Sequence, residues 1–423
     1  MNVTFFFPYP HISGIPVLFS NIANYLVKNS HYTIYIIDYE NGALINNCIR
    51  HERLIFKPFY DFKKCYINYE TFLILQAGPP YKLRKELIIN SNNIKIIEWS
   101  AYEFNLIPFL SKFKFIRNLQ IASTNFYKFS NLFNISKIKN TKNWIDFLIS
   151  KKAIHFMTNH IYETPKKFLN LDENLTPSFI PNFSFGELIF DKNLIKKKSI
   201  EAKLILNLAW VGRIVDFKVH ILNYSLKSLS KYSEKNKRKI FFHIIGDGPA
   251  HRLIEFNCSN SFFKIINVGR LNKNKIDNYL QENIHSVFAM GTSAIDAARL
   301  GLPVILLDQS LIKIRKDYVF RYLFEATGFD LGHPLIKSDF ICNNNSIDII
   351  INDLSNKYVE VGIKCYDHFK NNHSIEIVIK KLLKSLKNKN YYTIDEVPKN
   401  MRIQGFFRLL YLLYVQYIKK KYY

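Results

Sequence analysis

The stretch FAMGTSAIDAARLGLPVILLD, residues 288–308, leaves little choice of local fold. An apolar run enters Gly291-Thr292-Ser293, continues as a helix of small residues, and leaves through Gly301-Leu302-Pro303 into a second apolar run. Thr292 or Ser293 can cap the helix with a hydroxyl, Gly301 suits the left-handed position that ends it, and PVILL has the composition of a buried strand. The unit reads as strand, tight loop, helix, strand. Its loop aims backbone N–H groups and the positive end of a helix at one spot, which is how such units hold a phosphate. Turns of this kind occur in any α/β chain, so the neighbouring motifs must decide whether this one binds.

The same alternation runs through both halves. NVTFFFPYP, the loop HISG, an apolar-periodic helix near 15–29 and YTIYIID make one βαβ unit of a parallel sheet, and further strands are predicted at 72–78, 94–100 and 153–159. The pattern breaks at SFIPNFSFGELIFDKNLIKKKSIEAK, where proline and a lysine run separate two patterned regions. It restarts with strands at LILNLAWVG, KIFFHIIGDG, FKIINVG and HSVFAMG, and helices near 218–233, 250–257 and 273–282. The expected architecture is α/β: two Rossmann-like, doubly wound domains at 1–185 and 203–390, a linker at 186–202, and a helical tail at 391–423. Ligands of such sheets lie at the carboxyl ends of the strands.

With 423 residues there is chain enough for two cores, and 48% apolar against 22% charged residues excludes a disordered chain. The formal charge of +25 has two readings. Enrichment in Lys, Asn, Ile, Phe and Tyr is the bias of an AT-rich genome, and an anionic partner is the other explanation. No RNA-binding or helix-turn-helix signature is present, so nucleic acid is not the expected partner. Cys48, Cys65, Cys258, Cys342 and Cys365 are scattered and form no CxxC pair, which suits a reducing cytosol and offers neither a disulfide framework nor a zinc site. The apolar N-terminus lacks a basic n-region and meets Pro8 and Pro10, so it reads as a first strand. No uninterrupted apolar run reaches the roughly 20 residues needed to span a bilayer. A cytoplasmic protein, peripheral on the inner face of the cell membrane, is expected.

In AWVGRIVDFKVHIL, Arg213 follows Gly212 at a strand end and Lys218 stands five residues on. A fixed guanidinium and a mobile ammonium together suit a diphosphate whose charge no metal neutralises. HIIGDGP places Gly246-Asp247-Gly248-Pro249 after another strand, but His251 stands where a dinucleotide fingerprint needs its third glycine. The segment is a strand-to-helix corner, with Pro249 in the first turn.

VGR followed by Lys218, then IIGDGP, INVGRLNKNKIDNYL and GTSAIDAARLGLPVI, in this order, resemble the donor-binding domain of GT-B glycosyltransferases, particularly family four. The match covers residues 204–308 well and the first domain in outline. It implies that Arg213 and Lys218 meet the donor diphosphate and that Gly269, Arg270 and Leu271 flank the nucleobase. It also implies that Asp296 stands where the family has a ribose-binding glutamate, with shorter reach. The family's other glutamate, eight positions upstream, falls on Phe288. Gly291, Thr292 and Ser293 would hold the distal phosphate, and Gly14 would approach the donor phosphates beside His11 and Ser13. For an inverting reaction the resemblance leaves Glu98, Glu103 or His11 as the general base.

The implied activity is metal-independent transfer of a sugar from a nucleotide-diphosphate sugar to a glycan or lipid-linked acceptor in bacterial surface polysaccharide or lipooligosaccharide assembly, with no cofactor beyond the donor. A sugar-nucleotide epimerase and a catalytically inactive GT-B partner subunit are the alternatives. The tail at 401–423 puts Phe406, Phe407, Leu410, Leu413, Tyr414 and Tyr417 on one helical face ahead of Lys419-Lys420-Lys421. It reads either as an in-plane anchor on an anionic membrane surface, with the basic aromatic stretch 112–134 as a second contact, or as a helix packed on the protein.

Overall fold

The computed structural model describes residues 1–11, 13–78, 86–89, 93–111, 113–186, 190–314, 318–335 and 346–398; of the helical tail expected at 391–423, residues 391–398 instead hold a bridge at Tyr392 and a 3-10 turn at Ile394–Glu396, and 399–423 lie outside the described residues. The chain forms two compact units, Met1–Ile180 joined by residues from Ile379 onward, and Pro181–Val378. The second unit thus begins before the expected linker, and that linker is largely the helix α7 described below.

The first unit contains β1 (Asn2–Phe6), α1 (Gly14–Asn29), β2 (Thr33–Asp38), α2 (Ala43–Asn46), β3 (Leu54–Pro58), β4 (Cys65–Ile67), β5 (Thr71–Gln76), β6 (Leu87–Ile89) and β7 (Ile94–Ser100). It continues with α3 (Lys114–Ala122), α4 (Thr124–Ser130), α5 (Ile135–Ser150), β8 (Ile154–Phe156), α6 (Asn159–Leu169) and β9 (Ser178–Phe179). Seven strands form one sheet in the order β3-β2-β1-β5-β7-β8-β9, and β4 pairs separately with β6. The pairings of the large sheet are parallel throughout the described residues. β1 and β5 are largely buried on both faces because helices cover both sides of such a sheet, and Phe5 packs on Phe19 of α1 with ring centroids 5.3 Å apart.

The second unit contains α7 (Lys192–Leu204), β10 (Leu206–Val211), α8 (Asp216–Asn236), β11 (Ile240–Ile245), β12 (Phe263–Gly269), α9 (Lys273–Asn283), β13 (Ser286–Ala289), α10 (Thr292–Arg299) and β14 (Val304–Leu306). After β15 (Arg321–Tyr322) come α11 (Ile347–Asn356), α12 (Tyr358–Asn372) and α13 (Ile375–Lys387), the last of which carries the chain back into the first unit. Its sheet runs β12-β11-β10-β13-β14-β15, parallel except for β15. Trp210, Phe242 and Phe288 are fully enclosed in its core. The helix expected at 250–257 is two short 3-10 turns, at His251–Leu253 and Phe256–Cys258. α7 packs on β10, α11 and α12, so the lysine-rich stretch is part of the second unit's wall.

The chain after α13 completes the first unit. Ile96 donates its N–H to the Tyr392 carbonyl at 2.8 Å and accepts from the Tyr392 N–H at 3.1 Å, and the Tyr392 hydroxyl donates to Glu98 at 3.0 Å. His155 bridges Ser178 and Ser385 at 2.8 Å each, and burial pushes its pKa down to about 3, so it is a neutral clamp between sheet and helix. Among the described residues no helix is long and apolar enough to cross a membrane.

Candidate functional site

In the second unit the chain builds β10, β11 and β12 outward on one side, then returns to place β13 on the other side of β10. The carboxyl ends of β10 and β13 therefore flank the point where strand order reverses, and the loops there diverge to leave a crevice. The loop from β10 starts with Gly212 at φ +149°, whose carbonyl accepts from Trp210 Nε1 at 3.2 Å. A Cβ at Gly212 would stand 3.7 Å from Lys218 Nζ and 3.8 Å from Ser293 Oγ. An ammonium from α8 and a hydroxyl from α10 thus converge over a bare α-carbon. Lys218 is half-buried, burial lowers its pKa, and among the described residues no carboxylate pairs with it. Arg213, next to Gly212 in the chain, is exposed.

The two glycines of GDGP serve this loop. A Cβ at Gly246 would come within 2.1 Å of the Gly212 carbonyl oxygen, and one at Gly248 within 2.1 Å of that of Ile214. The two loops are stitched by Gly212 N–H to Ile245 O at 3.1 Å and Ile214 N–H to Asp247 O at 3.0 Å. Gly246 in turn donates to the Gly269 carbonyl at 2.8 Å. Gly269 sits at φ +74° with open space over its α-carbon; Arg270 is exposed and Leu271 packs against the core. Three consecutive strand ends are therefore held edge to edge by close backbone contact.

At β13 the sequence expectation needs correction in two respects. Gly291, not a hydroxyl, caps α10, and no side-chain cap bond forms. The Gly291 N–H is spent on the Leu331 carbonyl at 2.6 Å, so it is not a donor for a phosphate; the first amides of α10, Thr292 and Ser293, have no intrahelical acceptor and remain the candidates. Gly301 does end the helix at φ +76°. Phe288 faces the core, edge-on to Phe242 and Phe320 at 5.8 Å each, so no side chain there can reach a ligand.

One face of α10 is covered by the segment 182–186. Asn182 Nδ2 donates to Thr292 Oγ1 at 3.2 Å, Ser184 Oγ donates to the Asp296 carboxylate, and a Cβ at Gly186 would press on the Arg299 guanidinium. Asp296, given by resemblance to a ribose, is thus engaged by Ser184. We expect Ser184→Ala and Asp296→Ala each to lower stability by about 1–3 kcal/mol and the double variant to lose no more than the worse single one, as for two ends of one bond. Urea unfolding checks this, and additive losses would show that Asp296 acts independently of the segment.

Sequence reasoning missed the buried ion network beside this loop. Arg321 grips Asp308 with two bonds of 2.5 and 2.7 Å and reaches Asp330 at 2.7 Å; Asp330 also meets His333 Nδ1 at 2.9 Å. Burial opposes the charges on Arg321 and His333, but the carboxylates more than offset it and raise both pKa values. The network holds the turn whose Leu331 carbonyl takes the Gly291 N–H. An arginine inside the apolar run YVFRYLF was its one visible signal.

In the first unit the strand order reverses between β1 and β5. The loop after β1 carries exposed His11 and opens α1 at Gly14, where the space over the α-carbon is free. Asp38, also missed, fixes that loop: its carboxylate accepts from the N–H groups of Tyr9, Tyr39, Leu44 and Ile45 at 2.8–3.1 Å. Glu103 is buried on the loop after β7. Glu98 is enclosed beneath Tyr392, and burial lifts its pKa to about 7 although the tyrosine works against the shift. An acid with a raised folded pKa holds its proton longer than the unfolded chain does, so stability falls as pH rises from about 4.5 to 7. Glu98→Gln should abolish that fall, gaining up to roughly 3 kcal/mol at pH 8 relative to the parent. Urea midpoints across pH measure it, and parallel pH curves for parent and variant would refute the buried-acid account.

No known family's sequence model matches the chain, and no curated protein matches it. Among solved structures it is similar to sucrose-phosphate synthase from Thermosynechococcus elongatus (9% identity, TM-score 0.53), over 92% of this chain and 98% of that one. It is similar also to a trehalose-6-phosphate synthase studied for glycosyl transfer with retention (9% identity, TM-score 0.50), over 92% and 99%. The likeness is one of fold, and the fold is GT-B, two Rossmann-like domains in tandem.

Proposed function

We propose that the protein is a glycosyltransferase that moves a sugar from a nucleoside-diphosphate sugar to a glycan or lipid-linked acceptor in bacterial surface polysaccharide or lipooligosaccharide assembly. The observation that carries the reading is the convergence of Lys218 Nζ and Ser293 Oγ over Gly212, between the two strand ends where sheet order reverses. A diphosphate gathers negative charge as its bond to the sugar breaks. Lys218 would neutralise that charge with Arg213 beside it, while the Thr292 and Ser293 amides at the positive end of α10 hold the outer phosphate. With two cations supplied by side chains, the departing group needs no metal. Asp296, held by Ser184, would meet the ribose, and Gly269, Arg270 and Leu271 would flank the base. His11 is the exposed candidate for a base, on the loop beside Gly14, whereas Glu98 and Glu103 are enclosed.

Thermal shift and turnover with a panel of nucleoside-diphosphate sugars test the reading. Stabilisation by one donor, transfer to an acceptor and insensitivity to EDTA are expected. Epimerisation of the donor, or binding without any transfer, would replace the reading with one of its alternatives.

A further inference from the structure

α3 and α4 are built inside out. In most surface helices the apolar side chains pack inward and polar ones meet water. Here Gln120 is buried, accepting from the Ser111 N–H at 2.7 Å and donating to Ser130 Oγ at 2.9 Å, and Asn131 is buried on the Tyr127 carbonyl. Four phenylalanines point outward instead: Phe113 at 75% exposure, Phe115 at 76%, Phe129 at 70% and Phe133 at 103%. Ile116, Leu119, Leu132 and Ile135 are exposed among them. The inner side of the pair is satisfied without these residues, since Tyr127 anchors it with its ring on Phe168 and its hydroxyl on the Pro108 carbonyl at 2.9 Å.

The charge along this segment is of one sign. Between Glu103 and Asp146 the sequence contains no acidic residue, while Lys and Arg recur throughout, with Arg117, Lys128, Lys137 and Lys139 all exposed. A partner must therefore accept protruding aromatic rings and offer negative charge around them. A second copy of this chain carries the same +25 and would bring like charges together. An anionic bilayer meets both demands, with an apolar interior for the rings and acidic headgroups for the cations.

We propose that the α3–α4 face, through Phe113, Phe115, Phe129 and Phe133, docks the first unit on an anionic lipid bilayer. This deepens the proposed function and rests on it only for the reason a transferase would meet a membrane, namely a lipid-linked acceptor.

The test is co-sedimentation of the full chain with vesicles of phosphatidylcholine alone or mixed with phosphatidylglycerol, without nucleotide sugar. The parent should pellet with the mixed vesicles and be released by salt. A variant with Phe113, Phe115, Phe129 and Phe133 all replaced by serine should partition about tenfold less or worse, since each ring removed from the bilayer forfeits buried apolar area. Phe133→Ser alone, at a fully exposed position, should lose roughly two- to fivefold and guards against misfolding of the multiple variant. Unchanged pelleting of the multiple variant, failure of the parent to pellet, or a parent dimer that the substitutions dissociate would each overturn the proposal. Vesicle binding by a chain that binds no nucleotide sugar would leave the docking face standing and remove the proposed activity; the reverse result would do the opposite.

Discussion

Arg321→Met should destabilise the second unit by about 3–5 kcal/mol, the range for removing one partner of a buried ion pair. The reason is that the carboxylates do not depart with it. Asp308 is 1% exposed and would keep the Tyr318 hydroxyl at 3.2 Å, the His333 backbone N–H at 3.1 Å and, at 3.4 Å, the His333 ring that Asp330 holds more closely at 2.9 Å. Asp308→Asn placed in the same chain should therefore restore part of the loss, because it removes one of the two buried carboxylates left to share the single His333 ring. Equilibrium denaturation of the single and double variants measures both steps. A double variant no better than the arginine substitution alone would mean that packing, not charge compensation, is what Arg321 supplies. Loosening the network also frees the turn at 330–333, so the single variant should weaken donor binding without any substitution in the crevice.

The second large effect is expected at Lys218, with opposite signs for stability and binding. Its ammonium is half-buried without a carboxylate among the described residues, and burial lowers its pKa, so the empty protein bears the cost of holding this charge. Lys218→Met keeps the stem and removes the charge. It should raise the unfolding temperature of the free protein while weakening nucleoside-diphosphate binding by about 1.5–3 kcal/mol, roughly ten- to a hundredfold. Arg213→Ala, at an exposed position, should cost less. Calorimetric titration of both variants decides the matter: equal affinities for parent and Lys218→Met would remove Lys218 from the site, and a lower unfolding temperature would mean that the ammonium has a partner.

What could be read from the sequence was whatever a short window encodes. β7 spans the residues expected of it, α1 starts at Gly14, and Gly301 takes the left-handed conformation, because apolar alternation, helix starts and glycine turns are written within a few positions. The placement of Gly212, Lys218 and Ser293 followed from the same source, since each sits at a strand end or in the first turn of a helix. What escaped notice depends on distant partners. Ser184 and Asp296 are 112 positions apart, and Glu98 and Tyr392 294 apart. No periodicity links such residues, and each alone reads as an ordinary polar side chain. The hydroxyl cap expected on α10 failed for a related reason: the turn at Leu331 fixes the Gly291 backbone from elsewhere in the unit, and the helix starts without it.

The return of α13 to the first unit bears on how the chain is made. Glu98 obtains its hydroxyl donor from residue 392 and His155 one of its two serines from residue 385, both on the far side of the whole second unit. A chain leaving the ribosome therefore presents its N-terminal sheet first but with two interior polar groups lacking those partners, while Pro181–Val378 is contiguous and can close its own core as soon as it emerges. The order of completion can therefore run against the order of synthesis: the first unit lacks these two hydroxyls until residues 385 and 392 have been made, after the whole of the second unit.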